Sequence, residues 1–406
     1  MKSLLQYITE ALQPILEGGA GGHMAHPFDY TDFTANDLIE LVDSLFRGKV
    51  EHLKEKLDGF NISASMNNKG EIIFIRNETE RNSEDGGILL KNLDARWDGK
   101  EHQKKVYITA GKVIEQIFPK LGVKYFNPDN THRKVINCEC IIAGKTNIMP
   151  YAKDRVAFHG YQIWEWNGTK WVFQEDVEGH VDEIYKAAKG IDEAKPRPDL
   201  MIKNLEEGIK FADKFTKQIS KLWSDEGLNN NDSIEEWKKS RFKKFAPEWC
   251  KDDERIFNRL CNGDKSVNLR LLKKEYSDHA SELGELDKKA GKNIVTQIMD
   301  PMDNLFLSIG NELLDQLDGF VNSENKDKTI EIIKKDTEEL IKTIEQSDSV
   351  DAKEKLEKCM QRLQGLGNKY NAAEGIVVMW KGRRMKFTGS FAAINGALGT
   401  RFMLEK

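Results

Sequence analysis

The sequence predicts an α+β fold in which one β-rich domain is split by a long helical insertion. Three observations carry this expectation. Residues 50–176 hold short alternating or β-branched stretches at 60–65, 72–76, 135–143, 161–166 and 171–174. From about residue 180 to 370 those signals vanish, charge density rises, and apolar residues step by three and four. Near Gly375 the β character returns in GIVVMWKGRRMKFTG. Residues 23–176 and 371–406 are therefore expected to form one domain with mixed or antiparallel sheets, and residues 177–370 an all-helical insertion domain.

Taken in order, residues 2–17 are amphipathic, with Leu4, Leu5, Ile8 and Leu12 at helical spacing, and Gly18–Gly22 make a flexible joint. Residues 34–47 read as a helix capped by Thr34 or Asn36, burying Leu38, Leu41, Val42, Leu45 and Phe46. One helix at about 102–118 interrupts the strands. Asp300-Pro301 reads as a helix start, because proline suits a first turn, with Met302, Leu305, Ile309, Leu313 and Leu317 as its buried stripe. Ile330, Ile333, Thr337, Leu340 and Ile344 form a second stripe. Ala352, Leu356, Cys359, Leu363 and Leu366 form a third, stopped by Gly365 and Gly367. A polar turn at 346–351 makes these last two an antiparallel hairpin.

The chain of 406 residues is long enough for a proper core. No apolar run approaches the ~18 residues that would span a bilayer. Its 62 basic and 67 acidic residues nearly cancel, so any nucleic-acid contact must be a local patch. The five cysteines, 138, 140, 250, 261 and 359, are few and odd in number, which favours a reducing compartment. No secretory signal is recognisable at the start. His23 and His26 have the spacing of a weak metal pair, set against a capping or packing role.

The residues that point to chemistry are spread along the chain. Glu55-Lys56-Leu57-Asp58-Gly59 comes first. Arg76 follows 20 residues after Lys56, at a strand end. Glu139 stands in VINCECIIAG and Phe158 in RVAFHGYQIW. Glu374-Gly375-Ile-Val-Val378 and Arg384-Met-Lys386 close the series. Arg76 aside, they resemble in this order motifs I, III, IIIa, IV and V of the covalent nucleotidyltransferases, the ligases and mRNA capping enzymes, and RNA ligases usually carry a basic residue at about the place of Arg76. The ending EGIVVMWKGRRMKFTGSFAAINGALG and the early HMAHPFD resemble phage-encoded ligase-like proteins in particular. The resemblance covers roughly residues 23–175 and 371–406. Motif V usually has two lysines one residue apart; Arg384 takes the first place here and keeps the charge.

The resemblance implies a ligase-type adenylation domain, nearer RNA ligases than DNA ligases. Lys56 would attack the α-phosphate of ATP to form lysyl-AMP. AMP would then pass to a 5′-phosphate end, and a 3′-hydroxyl would displace it. Cations at Arg76, Arg384 and Lys386 suit a lysine that must lose its proton, and also neutralise the phosphates. Glu139 and Glu374 are suitable hard ligands for Mg2+ or Mn2+. Asp58 and Gly59 shape the turn after the nucleophile. Phe158 would stack on adenine, or be plain core with Tyr161 or His159 stacking instead, and Glu55 would help read the base edge through its backbone. With 20 residues after Lys386, no C-terminal OB-fold is expected.

Two further features stand outside those motifs. Trp237, Lys238, Lys239, Arg241, Lys243 and Lys244 lie in WKKSRFKKF with Phe242 and Phe245, and Trp249 follows. Such interleaving suits single-stranded nucleic acid; it equally suits a helix with a buried aromatic stripe and a solvated basic face. The start, residues 1–17, resembles leaders of proteins packaged in tailed-phage heads, cleaved after a glutamate, here Glu17. The expected setting is the cytoplasm of a phage-infected bacterium, or a phage head. The alternatives to ligation are adenylyl transfer to a protein or small molecule, and a packaged protein injected with the genome.

Overall fold

In the computed structural model the described residues are 24–50, 53–129, 131–143, 149–245, 288–347 and 349–393. The expected N-terminal helix, the glycine joint, Glu17, His23, Trp249, Cys250, Cys261 and residues 394–406 lie outside them. Helix α1 (Ala35–Phe46) begins as expected: the Thr34 hydroxyl accepts from the Asp37 N–H at 3.1 Å, and Asp37 Oδ2 accepts from the Thr34 N–H at 2.9 Å. All five of its predicted apolar residues are buried.

Strands β1 (Lys54–Lys56), β2 (Phe60–Met66), β3 (Ile72–Phe74) and β4 (Ile88–Leu89) precede the long helix α2 (Glu101–Leu121). Strands β5 (His132–Ile141), β6 (Arg155–Trp166) and β7 (Trp171–Glu178) follow it, then β8 (Met201–Ile202). Next come α3 (Leu205–Ser224), α4 (Ile234–Phe245), α5 (Lys288–Gln316) and β9 (Leu317–Asp318). The helical hairpin α6 (Lys326–Glu345) and α7 (Val350–Gly365), then β10 (Gly375–Trp380) and β11 (Arg383–Thr388), complete the described chain.

The strands form a six-stranded sheet in the order β4-β3-β2-β5-β6-β7, a three-stranded sheet β1-β10-β11, and the pair β8-β9. Every described pairing is antiparallel. The α+β class therefore holds, with antiparallel rather than mixed sheets. No described helix is long and apolar enough to cross a membrane.

Strand alternation gives the large sheet two different faces. On one, Ile62, Ala64, Phe74, Cys138, Cys140 and Phe158 pack against Val106, Ala110 and Ile114 of α2. On the other, Glu139 pairs with Asn61 and Ala157 in register. The small sheet is two-sided as well. Ile376, Val378, Met385 and Phe387 share a core with α1, α3, α4 and α5, while Lys56, Arg384 and Lys386 alternate onto the opposite side. The segment 177–370 therefore does not stand apart in its packing. Its central helices share a core with α1 and the small sheet, and Val181, Ile184 and Ala194 join the core under the large sheet. Gly310 on α5 lies so close to β11 that a Cβ would fall 2.2 Å from the Thr388 carbonyl oxygen.

One boundary is corrected. Pro301 does not open a helix but lies inside α5, which begins at Lys288. Ile298 and Met299, before the proline, are buried in the same core as Met302 and Phe306. Just before the proline, Arg241 Nε of another helix donates to the Ile298 carbonyl at 2.7 Å.

Candidate active site

β1 is held to β10 with Lys56 opposite Gly375. This places Glu374, the residue before that strand, beside the lysine: Lys56 Nζ lies 2.5 Å from Glu374 Oε1, with the two side chains 23% and 12% exposed. β11 pairs Lys386 with Val377 and Arg384 with Met379, which sets both cations on the Lys56 side of the small sheet. Lys386 is held below the usual lysine range by burial and by the charge of Lys56. Glu374 is pushed up by burial, against the pull of Lys56.

Glu139 faces this group from the large sheet. Burial pushes its carboxyl up to about 7, with the Lys56 charge opposing the rise. Its Oε2 lies 3.9 Å from His159 Nε2. His159 sits at the register shift opposite Asn137 and Cys138, and is held well below its usual range by burial and by Arg197, Arg384 and Lys56. The imidazole is therefore neutral. Gly59 is required by space: a Cβ there would fall 2.8 Å from Glu139 Cγ and 2.9 Å from the Cys140 carbonyl oxygen. Asp58 orders the turn, its Oδ2 accepting from the Met149 N–H at 2.8 Å and its own N–H donating to Tyr151 Oη at 3.0 Å.

Lys56, Glu139, Glu374, Arg384 and Lys386 are thus brought together, with Asp58 and Gly59 shaping the turn. Three other expected residues are placed differently. Glu55 alternates away from Lys56 and is fully buried; its Oε2 accepts from the Val321 N–H at 2.6 Å, and burial pushes it up to about 7. Arg76 is exposed, with its guanidinium 5.2 Å from the Trp97 ring centre. Phe158 is 2% exposed in the core beneath α2, edge-on to Tyr185 at 5.8 Å. Arg76 has the strand parity of Phe74, and Phe158 that of Cys138, so both point to the helix-covered face rather than toward Lys56.

The basic helix is also corrected. Trp237 is fully buried and donates from Nε1 to the Leu222 carbonyl. Lys238 is buried and donates to the Phe28 carbonyl, and Lys239 pairs with Glu235. Arg241 pairs with the buried Glu226 at 2.7 Å. Only Lys243 and Lys244 of the six are exposed. The side chains of Phe242 and Phe245 lie outside the described residues.

The sequence reading missed Arg197, offered His159 only as a stacking alternative to Phe158, and left His26 open. Half-buried His26 stacks on Phe28, ring centres 5.1 Å apart, and is pushed down to about 3 by burial and by Lys386 and Lys56. It is a neutral ring beside two lysines. Its one legible signal was its place three residues before Asp29, whose carboxylate accepts from the His26 N–H at 2.7 Å. Among the described residues no three His, Cys, Asp or Glu side chains form a cation-binding group. The pair Glu139 and Glu374 nevertheless fits Mg2+, which commonly takes one or two carboxylates and completes its shell with water and phosphate oxygens. A largely desolvated carboxyl such as Glu139 is a suitable ligand, since a bound cation offsets the cost of its charge. No family model, curated protein or solved structure matches this chain.

Proposed function

We propose that this chain is an ATP-dependent nucleotidyltransferase of the ligase type, with Lys56 as nucleophile. One observation carries the reading. Four stretches far apart in sequence, around 56–59, 139, 374 and 384–386, bring a lysine, two buried carboxyls and two further cations to one place, with Lys56 Nζ 2.5 Å from Glu374 Oε1. A nucleophilic amine must first lose its proton, and a desolvated carboxylate in contact with it is a suitable acceptor. In the step proposed, Lys56 Nζ bonds to the α-phosphorus of ATP and the bond from that phosphorus to the bridging oxygen breaks. One ammonium proton passes to Glu374 before the attack, and the second is carried off with the departing pyrophosphate. Lys386 and Arg384 offset the charge that builds on the phosphates. Glu139 and Glu374 would hold Mg2+, which would supply further neutralisation of the triphosphate.

Ligation requires AMP to pass on to a 5′-phosphate end and a 3′-hydroxyl to displace it. A second reading keeps the first step and changes the acceptor to a protein or small molecule. It is favoured by the tethering of the helix at 237–244, which leaves only Lys243 and Lys244 of that patch exposed. Incubation with ATP labelled at the α-phosphate and Mg2+ tests the shared step. Wild type should become covalently labelled and Lys56→Ala should not; an unlabelled wild type across ATP, GTP, Mg2+ and Mn2+ overturns the reading. Nicked RNA and DNA then separate the two acceptors.

A further inference from the structure

β1 is three residues long and pairs with β10 along one edge. So short a strand is a weak support for a nucleophile on its own. Its other edge is met by residues 195–200. Lys54 bridges Asp199 in antiparallel register, the Leu200 N–H donates to the Leu53 carbonyl at 3.0 Å, and Lys54 Nζ lies 2.7 Å from Asp199 Oδ1. Lys54 Nζ also donates to the Arg197 carbonyl at 3.1 Å. The sequence here is Lys195-Pro196-Arg197-Pro198-Asp199. Each proline fixes its own φ and keeps the residue before it extended. The strap is therefore stiff before it docks, and docking costs it little chain entropy.

Arg197 is the residue this strap delivers. It is 9% exposed, and its Nη1 donates to the Glu55 carbonyl at 3.0 Å. Glu55 immediately precedes Lys56. The nucleophile's strand is thus held from β10 on one side and from a buried guanidinium on the other. The same charge acts on Glu139 and His159 of the large sheet. A charge-assisted bond from a planar guanidinium fixes orientation better than a lysine would.

We propose that Arg197 is a positioning residue for Lys56: carried on the proline-flanked strap 195–200, it fixes the nucleophile's strand through the Glu55 carbonyl. This role rests on the nucleotidyl transfer proposed above. A misplacement of about 1 Å at a reacting group costs on the order of 10²-fold in rate, and that is the size of effect expected.

Arg197→Ala and Arg197→Lys are compared with wild type in single-turnover labelling by ATP, in ATP binding, in melting temperature, and in amide hydrogen exchange over residues 53–58. Arg197→Ala should label roughly 10²-fold more slowly at saturating ATP, with ATP affinity and melting temperature little changed and with protection lost over 53–58. Arg197→Lys should recover part of the rate. A labelled wild type whose Arg197→Ala variant labels at the same rate overturns the role. So does unchanged exchange over 53–58, or a rate that falls only in step with melting temperature. A wild type that takes no label overturns the nucleotidyl reading itself, and this role with it.

Discussion

Lys56 Nζ and Glu374 Oε1 lie 2.5 Å apart, joined across the β1–β10 pairing that sets Lys56 opposite Gly375. Neither residue is placed by its own loop; both are fixed by the register of one antiparallel pair. Glu374→Gln keeps the shape and removes the charge, leaving Lys56 beside Lys386 without its acid. If Glu374 accepts the lysine proton, the variant should label roughly 10²- to 10⁴-fold more slowly, the usual contribution of a positioned base. Single-turnover labelling measures this, and a wild-type rate would remove Glu374 from the proton path.

The two raised carboxyls give a stability prediction with a definite sign. Glu55 and Glu139 are each pushed from an ordinary 4.5 up to about 7 in the folded chain, chiefly by burial. Between those values the folded state binds more protons than the unfolded one, so stability falls as pH rises. Their contribution is full below about 4.5 and is lost as pH climbs through about 7. Glu55→Gln and Glu139→Gln should each flatten the decline in melting temperature between pH 5 and pH 8. A variant whose decline matches wild type would show that its carboxyl does not titrate in that window.

Much of the site was legible because its chemistry sits in contiguous runs. Glu55 to Gly59, Glu374-Gly375 and Arg384-Met-Lys386 can each be read without knowing the fold. What sequence could not give was the face of a strand. Phe158 lies in an apolar run where alternation is faint, and the register shift at Asn137 and Cys138 changes its parity relative to Gly160. Arg76 ended up over Trp97 for the same kind of reason, sharing the parity of Phe74. Arg197 was missed because its partner is a backbone carbonyl 142 residues away. Pro301 misled because tertiary packing overrides it: Ile298 and Met299 before it are buried in the same core as Met302 and Phe306 after it.

Gly59→Ala tests how closely the loop after Lys56 is packed on the large sheet. A Cβ would sit 2.9 Å from the Cys140 carbonyl oxygen, which belongs to a strand and cannot swing aside, and 2.8 Å from Glu139 Cγ. Overpacking of this kind costs about 1–3 kcal/mol. The loop and Glu139 must separate, so labelling should slow together with a lower melting temperature. Unchanged values for both would mean that the loop has room to move.

The helix at 237–244 gives two opposite expectations for residues of one charge. Arg241 is 10% exposed and paired at 2.7 Å with Glu226, itself 4% exposed, while its Nε supports the Ile298 carbonyl. Arg241→Ala leaves a buried carboxylate and a buried carbonyl without their donor, and breaking such a pair costs about 3–5 kcal/mol. Lys243 and Lys244 are exposed; in their joint reversal to glutamate, Lys243 should contribute no more than about 0.5 kcal/mol, while Lys244, whose Nζ lies 3.6 Å from Glu226 Oε1, adds a like charge beside that carboxylate and costs more. If this helix is a structural strut, the double reversal also leaves affinity for single-stranded RNA and DNA unchanged, with no change in its salt dependence. Chemical denaturation measures the first pair of effects and titration at two salt concentrations the second. A weakened and less salt-dependent affinity in the double variant would restore the helix as a nucleic-acid contact through those two lysines.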